Sequence, residues 1–257
     1  MNTIYCFSAT GNSLAAAKEI AKSSDAQVLP MNDASCIPTD ASVIGFVFPV
    51  YAWGMPNQVE RFISRLEIEH PSPYLFGVAT CGVLGKNAIA DLARLLSRKG
   101  HTLDYGKVLR SVANNIFLYD IDLDRASRRL DRCDSDLRQV VCDIFAQSRS
   151  RLPKGDPVSH WLHRKTTGYS ELDRRFTVHD SCTGCGICAK LCPAGNISMQ
   201  DGRPVFSHQC EHCIACVQWC PRQAIDWDGR TQNRTRYHNP GVSLEEMIAF
   251  QQETIAQ

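Results

Sequence analysis

The stretch CTGCGICAKLCP (182–193) is followed at 210–221 by CEHCIACVQWCP, and both runs have the pattern C-x2-C-x2-C-x3-C-P. This spacing arranges thiolates around a cubane iron–sulfur cluster. Zinc sites usually use pairs of cysteines, and disulfides need an oxidising compartment, so neither explains a repeated run of four cysteines followed by proline. The sequence therefore predicts two 4Fe-4S clusters.

The fourth cysteine of each run is predicted to bind the cluster that the other run holds, because the chain carries it past its own cluster. An isoleucine, Ile197 or Ile225, follows each fourth cysteine at the same offset, which indicates an internal duplication. The segment resembles the bacterial two-cluster ferredoxins. The predicted ligands are Cys182, Cys185, Cys188 and Cys220 for one cluster, and Cys210, Cys213, Cys216 and Cys192 for the other.

Composition and charge limit the compartment and the partners. The 257 residues carry a formal net charge of +1, so no general attraction to nucleic acid or to an anionic membrane is expected. The N-terminus lacks the pattern of a signal peptide, and the most apolar stretch, 43–56, is too short to span a bilayer. We therefore expect a reduced, soluble, cytoplasmic protein without a membrane span.

A second informative stretch opens the chain. An apolar strand at 2–7 leads into SATGNS (8–13), and LAAAKEIAK (14–22) then begins a helix. Such a loop offers backbone N–H groups and hydroxyls to an anion at the positive end of a helix, although an ordinary capped helix is the alternative. The motifs for ATP and NAD are missing. The candidate phosphate ligands are Ser8, Thr10, Gly11, Asn12 and Ser13.

The same strand, loop and helix plan recurs along the N-terminal half. Alternation of this kind implies a parallel sheet covered on both faces, with ligands at the carboxyl ends of the strands. The predicted elements are a strand at 42–48, the loop PVYAWGMP (49–56), a helix at 57–66, a strand at 74–80, the loop CGVLGK (81–86), a helix at 87–100, a strand within 105–117 and a charged helix within 120–150.

The motif S-x-T-G-N-S resembles the FMN-phosphate loop of flavodoxins, and the resemblance covers roughly residues 1–118. It implies that the first loop binds the phosphate and the next two bind the isoalloxazine ring. Tyr51 and Trp53 can stack on that ring or pack in the core. Lys86 can neutralise a reduced flavin or simply be solvated. The residues of the second and third loops assigned to FMN are Pro49, Val50, Tyr51, Trp53, Gly54, Thr80, Cys81, Gly82 and Gly85.

Together the two halves resemble the fused flavodoxin-ferredoxin proteins of anaerobic bacteria and archaea. This resemblance implies an α/β flavodoxin-like doubly wound parallel sheet, followed by a small α+β two-cluster ferredoxin-like domain. Trp161 and Tyr169 are expected to anchor the connector between them. The expected divisions are 1–150 for the FMN-binding domain with its C-terminal helix, 151–175 for the connector, 176–230 for the ferredoxin domain, and 231–257 for a tail whose helix begins with a capping box at Ser243 and Glu246.

Clusters pass single electrons, whereas FMN can hold two, so the fusion is expected to interconvert one- and two-electron transfer. We expect an electron-transfer flavoprotein whose partner is a redox donor or acceptor protein. One alternative is an enzyme that reduces a small oxidant, such as a quinone or an enoate, at an open flavin face. Another is a dedicated reductant of a metalloenzyme or a radical enzyme.

His212 can donate a hydrogen bond to a cluster sulfur or be an exposed loop residue.

Overall fold

The computed structural model describes residues 2–85, 87–166 and 170–253. Its largest sheet has five parallel strands, namely β1 (Asn2–Cys6), β2 (Ala26–Pro30), β3 (Val43–Pro49), β4 (Tyr74–Cys81) and β5 (Tyr105–Arg110). They are arranged in the order β2-β1-β3-β4-β5. This is the flavodoxin-like doubly wound order, which confirms the predicted fold. The short edge strand β2 was not predicted.

Helices cover both faces of this sheet. On one face, α1 (Asn12–Ser24) and α4 (Leu123–Phe145) share a hydrophobic cluster with the sheet. On the other face, α2 (Asn57–Arg65) and α3 (Ala88–Arg98) share a second cluster with it. The side chains of β4 are buried along its whole length, as expected for a central parallel strand with helices on both sides. The carboxyl edge of the sheet is therefore left to the loops.

The C-terminal half contains short antiparallel pairs and single-turn helices. A 3-10 helix (Ser170–Arg175) leads into β6 (Phe176–Val178), α6 (Ile187–Lys190), β7 (Ile197–Gln200), β8 (Arg203–Phe206), α7 (Ala215–Gln218) and β9 (Ile225–Trp227). Strand β6 pairs with β9, and β7 pairs with β8. Each single-turn helix follows the first cysteines of one run, so the two runs have similar local structure. This confirms the small α+β domain.

The connector is partly helical, because α5 spans Pro157–Thr166. The prediction that Trp161 anchors it is wrong, since that side chain is 57% exposed, whereas His163 in the same helix is 4% exposed. Leu162 is also exposed, so the residues that α5 buries are the polar Ser159 and His163. Two residues singled out in the sequence, Lys86 and Tyr169, lie outside the described residues.

The tail folds back onto the sheet domain. Helix α8 (Leu244–Gln252) begins with the predicted capping box, which is confirmed by hydrogen bonds between Ser243 and Glu246. Its buried residues Met247 and Phe250 join the hydrophobic cluster that contains α1 and α4. Trp219, from the second cysteine run, belongs to the same cluster. The cysteine-rich half and the sheet domain thus share one core. No helix in the described part of the chain is long and apolar enough to cross a bilayer.

Candidate cofactor sites

The first loop has the geometry of an anion site. Gly11 is the N-cap residue of α1, with φ of 90°, and it offers no side chain to cap the helix. The Ser8 hydroxyl accepts a hydrogen bond from the Leu14 N–H at 3.3 Å, and the Thr10 hydroxyl accepts one from the Asn114 amide at 2.6 Å. Each hydroxyl therefore keeps its own proton to donate to an anion. Together with the positive end of the helix dipole, these donors suit a phosphate.

A cleft opens beside this loop, at the carboxyl ends of the parallel strands. Most of the predicted FMN residues line it, namely Ser8, Thr10, Asn12, Ser13, Pro49, Val50, Tyr51, Trp53, Thr80, Cys81 and Gly82. Three predicted glycines face elsewhere: a Cβ atom would point from Gly11 to Asn239, from Gly54 to His163 and from Gly85 to Val108. These glycines allow neighbouring elements to approach the loops closely.

The second loop is a tight turn that carries Trp53 at its tip. Tyr51 and Gly54 exchange backbone hydrogen bonds of 3.0 and 2.9 Å, and the two residues between them, Ala52 and Trp53, both have positive φ. This combination is that of a type I′ turn. The His163 ring nitrogen Nδ1 lies 3.1 Å from the Tyr51 carbonyl and 3.2 Å from the Ala52 carbonyl, so the connector helix braces the turn. Trp53 itself stays 40% exposed.

A fourth loop, which was not predicted from the sequence, completes the cleft. Strand β5 ends at Arg110, inside the range 105–117 within which a strand was predicted. The Asn114 side chain bridges to Thr10, and the Asn12 amide donates to the Val112 carbonyl at 3.3 Å. The polar pair Asn114 and Asn115, shortly after a strand, was the available signal. The cleft residues of this loop are Ser111, Val112, Ala113, Asn114, Asn115, Leu118 and Tyr119.

The cysteines of the first run lie close to the last cysteine of the second run. Burial raises the pKa of the Cys188 thiol to about 11. Three further thiols add to this rise, namely those of Cys185, Cys220 and Cys182. These four residues are the predicted ligand set of one cluster. Within the described ranges, no three His, Cys, Asp or Glu side chains converge as they would around a single metal ion.

The converse grouping is found around the second run. Burial raises the pKa of the Cys216 thiol well above its usual value, and the neighbouring thiols of Cys213, Cys192 and Cys210 raise it further. Cys188 contributes less than these three. The fourth cysteine of the first run thus lies with the first three of the second run.

Backbone N–H groups point at the sulfurs in an arrangement that repeats between the runs. The Asn196 N–H lies 3.3 Å from the Cys192 sulfur, and the Ala224 N–H lies 3.3 Å from the Cys220 sulfur. The His212 N–H lies 3.2 Å from the Cys210 sulfur. The backbone of His212 therefore donates to a cysteine sulfur. Such bonds favour a thiolate over a thiol and so suit an iron ligand.

The buried guanidinium of Arg236 is a further sign that an anionic group belongs between the two runs. Its three nitrogens are buried and have no hydrogen-bond partner. Burial lowers its pKa, while the negative charges of Cys220, Asp226 and Cys216 act in the opposite direction. An uncompensated buried cation is costly, and a thiolate-bound iron–sulfur cluster supplies the compensating charge. The residues present therefore fit the cluster.

The second cysteine run also contacts two loops of the cleft. The Trp219 indole N–H donates to the Ala9 carbonyl at 2.9 Å, and the Gln218 amide donates to the Asn114 carbonyl at 3.0 Å. Trp219 is next to Cys220 in the chain. Both cleft residues belong to loops that surround the candidate phosphate site. One short segment therefore connects a predicted cluster ligand to the cleft.

The tail closes the other side of the first loop. The Tyr237 hydroxyl donates to the Asn12 side chain at 2.7 Å, and the Asn239 N–H donates to the Thr10 carbonyl at 2.7 Å. The Gln251 amide of α8 donates to the Ser8 carbonyl at 2.8 Å. These bonds join residues more than two hundred positions apart. They fix the loop from outside the cleft.

Comparison with known proteins gives one domain match. Residues 181–225 match the 4Fe-4S dicluster domain family, and no curated protein matches the chain. Similar solved structures include the Trp repressor binding protein from Bacillus subtilis, at 15% identity over 52% of this chain and 94% of that chain, with a TM-score of 0.38. A flavodoxin from the domain Archaea is 17% identical over 55% of this chain and 99% of that chain, with a TM-score of 0.36.

Because the TM-scores and identities of these structures are low, the fold assignment rests on the strand order of the sheet. The iron–sulfur assignment rests on the matched domain. The rubredoxin oxygen:oxidoreductase of Desulfovibrio gigas is likewise similar at 13% identity, covering 56% of this chain and 36% of that chain, with a TM-score of 0.38. The chain joins a flavodoxin-like fold to a 4Fe-4S dicluster domain, which confirms the predicted fusion.

Proposed function

We propose that the protein transfers electrons between FMN in the cleft and two 4Fe-4S clusters held by the two crossed sets of cysteines. FMN stores two electrons and each cluster exchanges one, so the fusion interconverts the two kinds of transfer. The start of α1, with Ser8 and Thr10, binds the phosphate. Trp53 contacts the ring, and the 111–119 loop covers its other edge.

One contact carries this proposal: the hydrogen bond of 2.9 Å from the Trp219 indole to the Ala9 carbonyl. Trp219 adjoins the proposed ligand Cys220, and Ala9 lies within the proposed phosphate loop. The indole also stacks on the His238 ring, with the two ring centroids 4.3 Å apart, and this contact holds the indole in place. A buried, continuous contact of this kind suits electron exchange between the two sites, and a hinge between the halves would interrupt it.

A second function, reduction of a small oxidant at the flavin, is favoured by the exposure of Trp53. This side chain is 40% exposed at the tip of a turn that lines the cleft, so one side of the cleft is accessible. A quinone or an enoate can reach such a face. In this second function the protein is an enzyme, and the clusters supply electrons to its flavin.

Oxidation of the fully reduced protein distinguishes the two functions. In anaerobic stopped-flow mixing, a carrier should reduce redox proteins rapidly and small oxidants without saturation. NADH and NADPH should not reduce it, because the sequence has no nicotinamide-binding motif. Saturable turnover of one quinone or enoate, slowed about tenfold by Trp53→Ala, would identify an enzyme instead. Trp161→Ala is the matched control, since Trp161 is exposed on α5 and does not line the cleft.

A further inference from the structure

Five arginines, four on α4 and one at the end of β5, line one cleft. None of the five takes part in an ion pair in the described part of the chain. Arginines elsewhere do pair with carboxylates, as Arg203 does with Asp180 at 2.9 Å. Four of the five are exposed, and Arg129 is half-buried. This arginine cleft is lined by Arg110, Arg125, Arg128, Arg129, Arg132 and Asp136.

The arginine cleft adjoins the FMN cleft. Arg110 is the register partner of Cys81 across β4 and β5, and Cys81 lines the FMN cleft. Burial raises the pKa of the Cys81 thiol, and the positive charges of Arg110 and Arg129 oppose that rise. Arg129 acts in the same way on Tyr119, whose pKa is raised mainly by burial. The positive charge therefore lies at one edge of the cleft mouth.

The mouth itself is apolar. Val83 is 64% exposed, Leu84 is 47% exposed and Leu118 is 67% exposed, and all three line the FMN cleft. Exposed apolar side chains gathered beside a polar rim are typical of a protein interaction site, and arginine is enriched at such interfaces. Because the whole chain has a net charge of only +1, its attraction for an acidic protein is concentrated at this rim.

We propose that a small acidic redox protein docks over the mouth of the FMN cleft, with its carboxylates against the arginine cleft and its redox centre over Val83, Leu84 and Leu118. The inference rests on the proposed function, because it assigns the flavin edge as the place where single electrons enter or leave. In each encounter the partner loses one electron and this protein gains one, or the reverse. Charge complementarity raises the rate of encounter, and this effect on the rate weakens as the salt concentration rises.

The test measures reduction of the oxidised protein by a reduced, acidic two-cluster ferredoxin. In the double variant Arg128→Glu, Arg132→Glu, the second-order rate constant at low ionic strength should fall by about tenfold or more. The control Arg98→Glu, Arg138→Glu changes net charge equally on exposed residues outside the arginine cleft, and its rate should change little. The methyl viologen radical cation, used as a second donor, should not react more slowly with the double variant.

Equal losses in the double variant and its control would overturn the docking proposal, and so would an equal loss with methyl viologen. If only methyl viologen reduces the unaltered protein, docking of the ferredoxin fails while the proposed function stands. If neither donor reduces a protein that carries its cofactors, the proposed function itself fails. Iron and FMN content, measured for every variant, shows whether folding and cofactor binding are intact.

Discussion

Replacing Cys220 with serine should destroy the cluster bound by the first cysteine run and leave the cluster of the second run intact. Cys192→Ser should do the reverse. The reason is the crossed grouping of thiols, in which Cys220 lies with Cys188 and Cys192 lies with Cys216. Each variant should lose about four of about eight iron atoms per chain. Electron paramagnetic resonance of the reduced proteins should show a different remaining cluster in each case.

The matched control for these variants is Cys142→Ser, because Cys142 is an exposed thiol on α4 outside both runs. It should retain all of its iron. The crossed assignment would be contradicted if each serine removed the cluster of its own run. Double variants distinguish the two outcomes: Cys185→Ser with Cys220→Ser should remove no more iron than Cys220→Ser alone.

Replacing Gly11 with valine should empty the flavin site, with a more than tenfold loss of bound FMN. Gly11 has φ of 90°, where a side chain costs about 1–2 kcal/mol, and its Cβ would lie 3.1 Å from the Asn239 Cβ and 3.2 Å from the Val242 Cβ. The loop must then move, and the N–H groups at the start of α1 lose their alignment. Flavin absorbance and iron analysis check this result.

Gly100→Val is the control, because Gly100 has φ of 82° with no atom within 4 Å of its Cβ and lies after α3. It should keep its FMN. Thr10→Val removes a hydroxyl while retaining the side-chain shape, so it tests the phosphate site even if Gly11→Val disturbs the tail. Full FMN content in both loop variants would place the phosphate elsewhere.

Local patterns in the sequence predicted most of the fold. The cysteine spacing is a short-range property, and the apolar strands that precede α2 and α3 are long enough to be recognised by composition alone. Strand β2 was missed because Gln27 and Pro30 weaken the strand pattern in its five residues. It forms only because β1 offers a parallel edge.

The parts of the site that were not predicted depend on long-range contacts. The tail reaches the first loop through the bond between Tyr237 and Asn12, and nothing near either residue in the sequence indicates this pairing. Similarly, Trp161 looked like an anchor because it is large and apolar, whereas the buried residues of α5 are Ser159 and His163, and the His163 ring bonds two carbonyls of the Trp53 turn. Tertiary hydrogen bonding outweighed side-chain size.

Electron transfer inside one molecule is the central claim, and flash photoreduction of the anaerobic, FMN-loaded protein tests it most directly. A one-electron donor generated by the flash reduces the clusters, and flavin absorbance is then followed over time. The account predicts that electrons reach the flavin in a first-order process whose rate does not depend on protein concentration, and that this process is absent in Gly11→Val. Two results would contradict it: a rate of flavin reduction that rises in proportion to protein concentration, or a flavin that stays oxidised while the clusters are reduced.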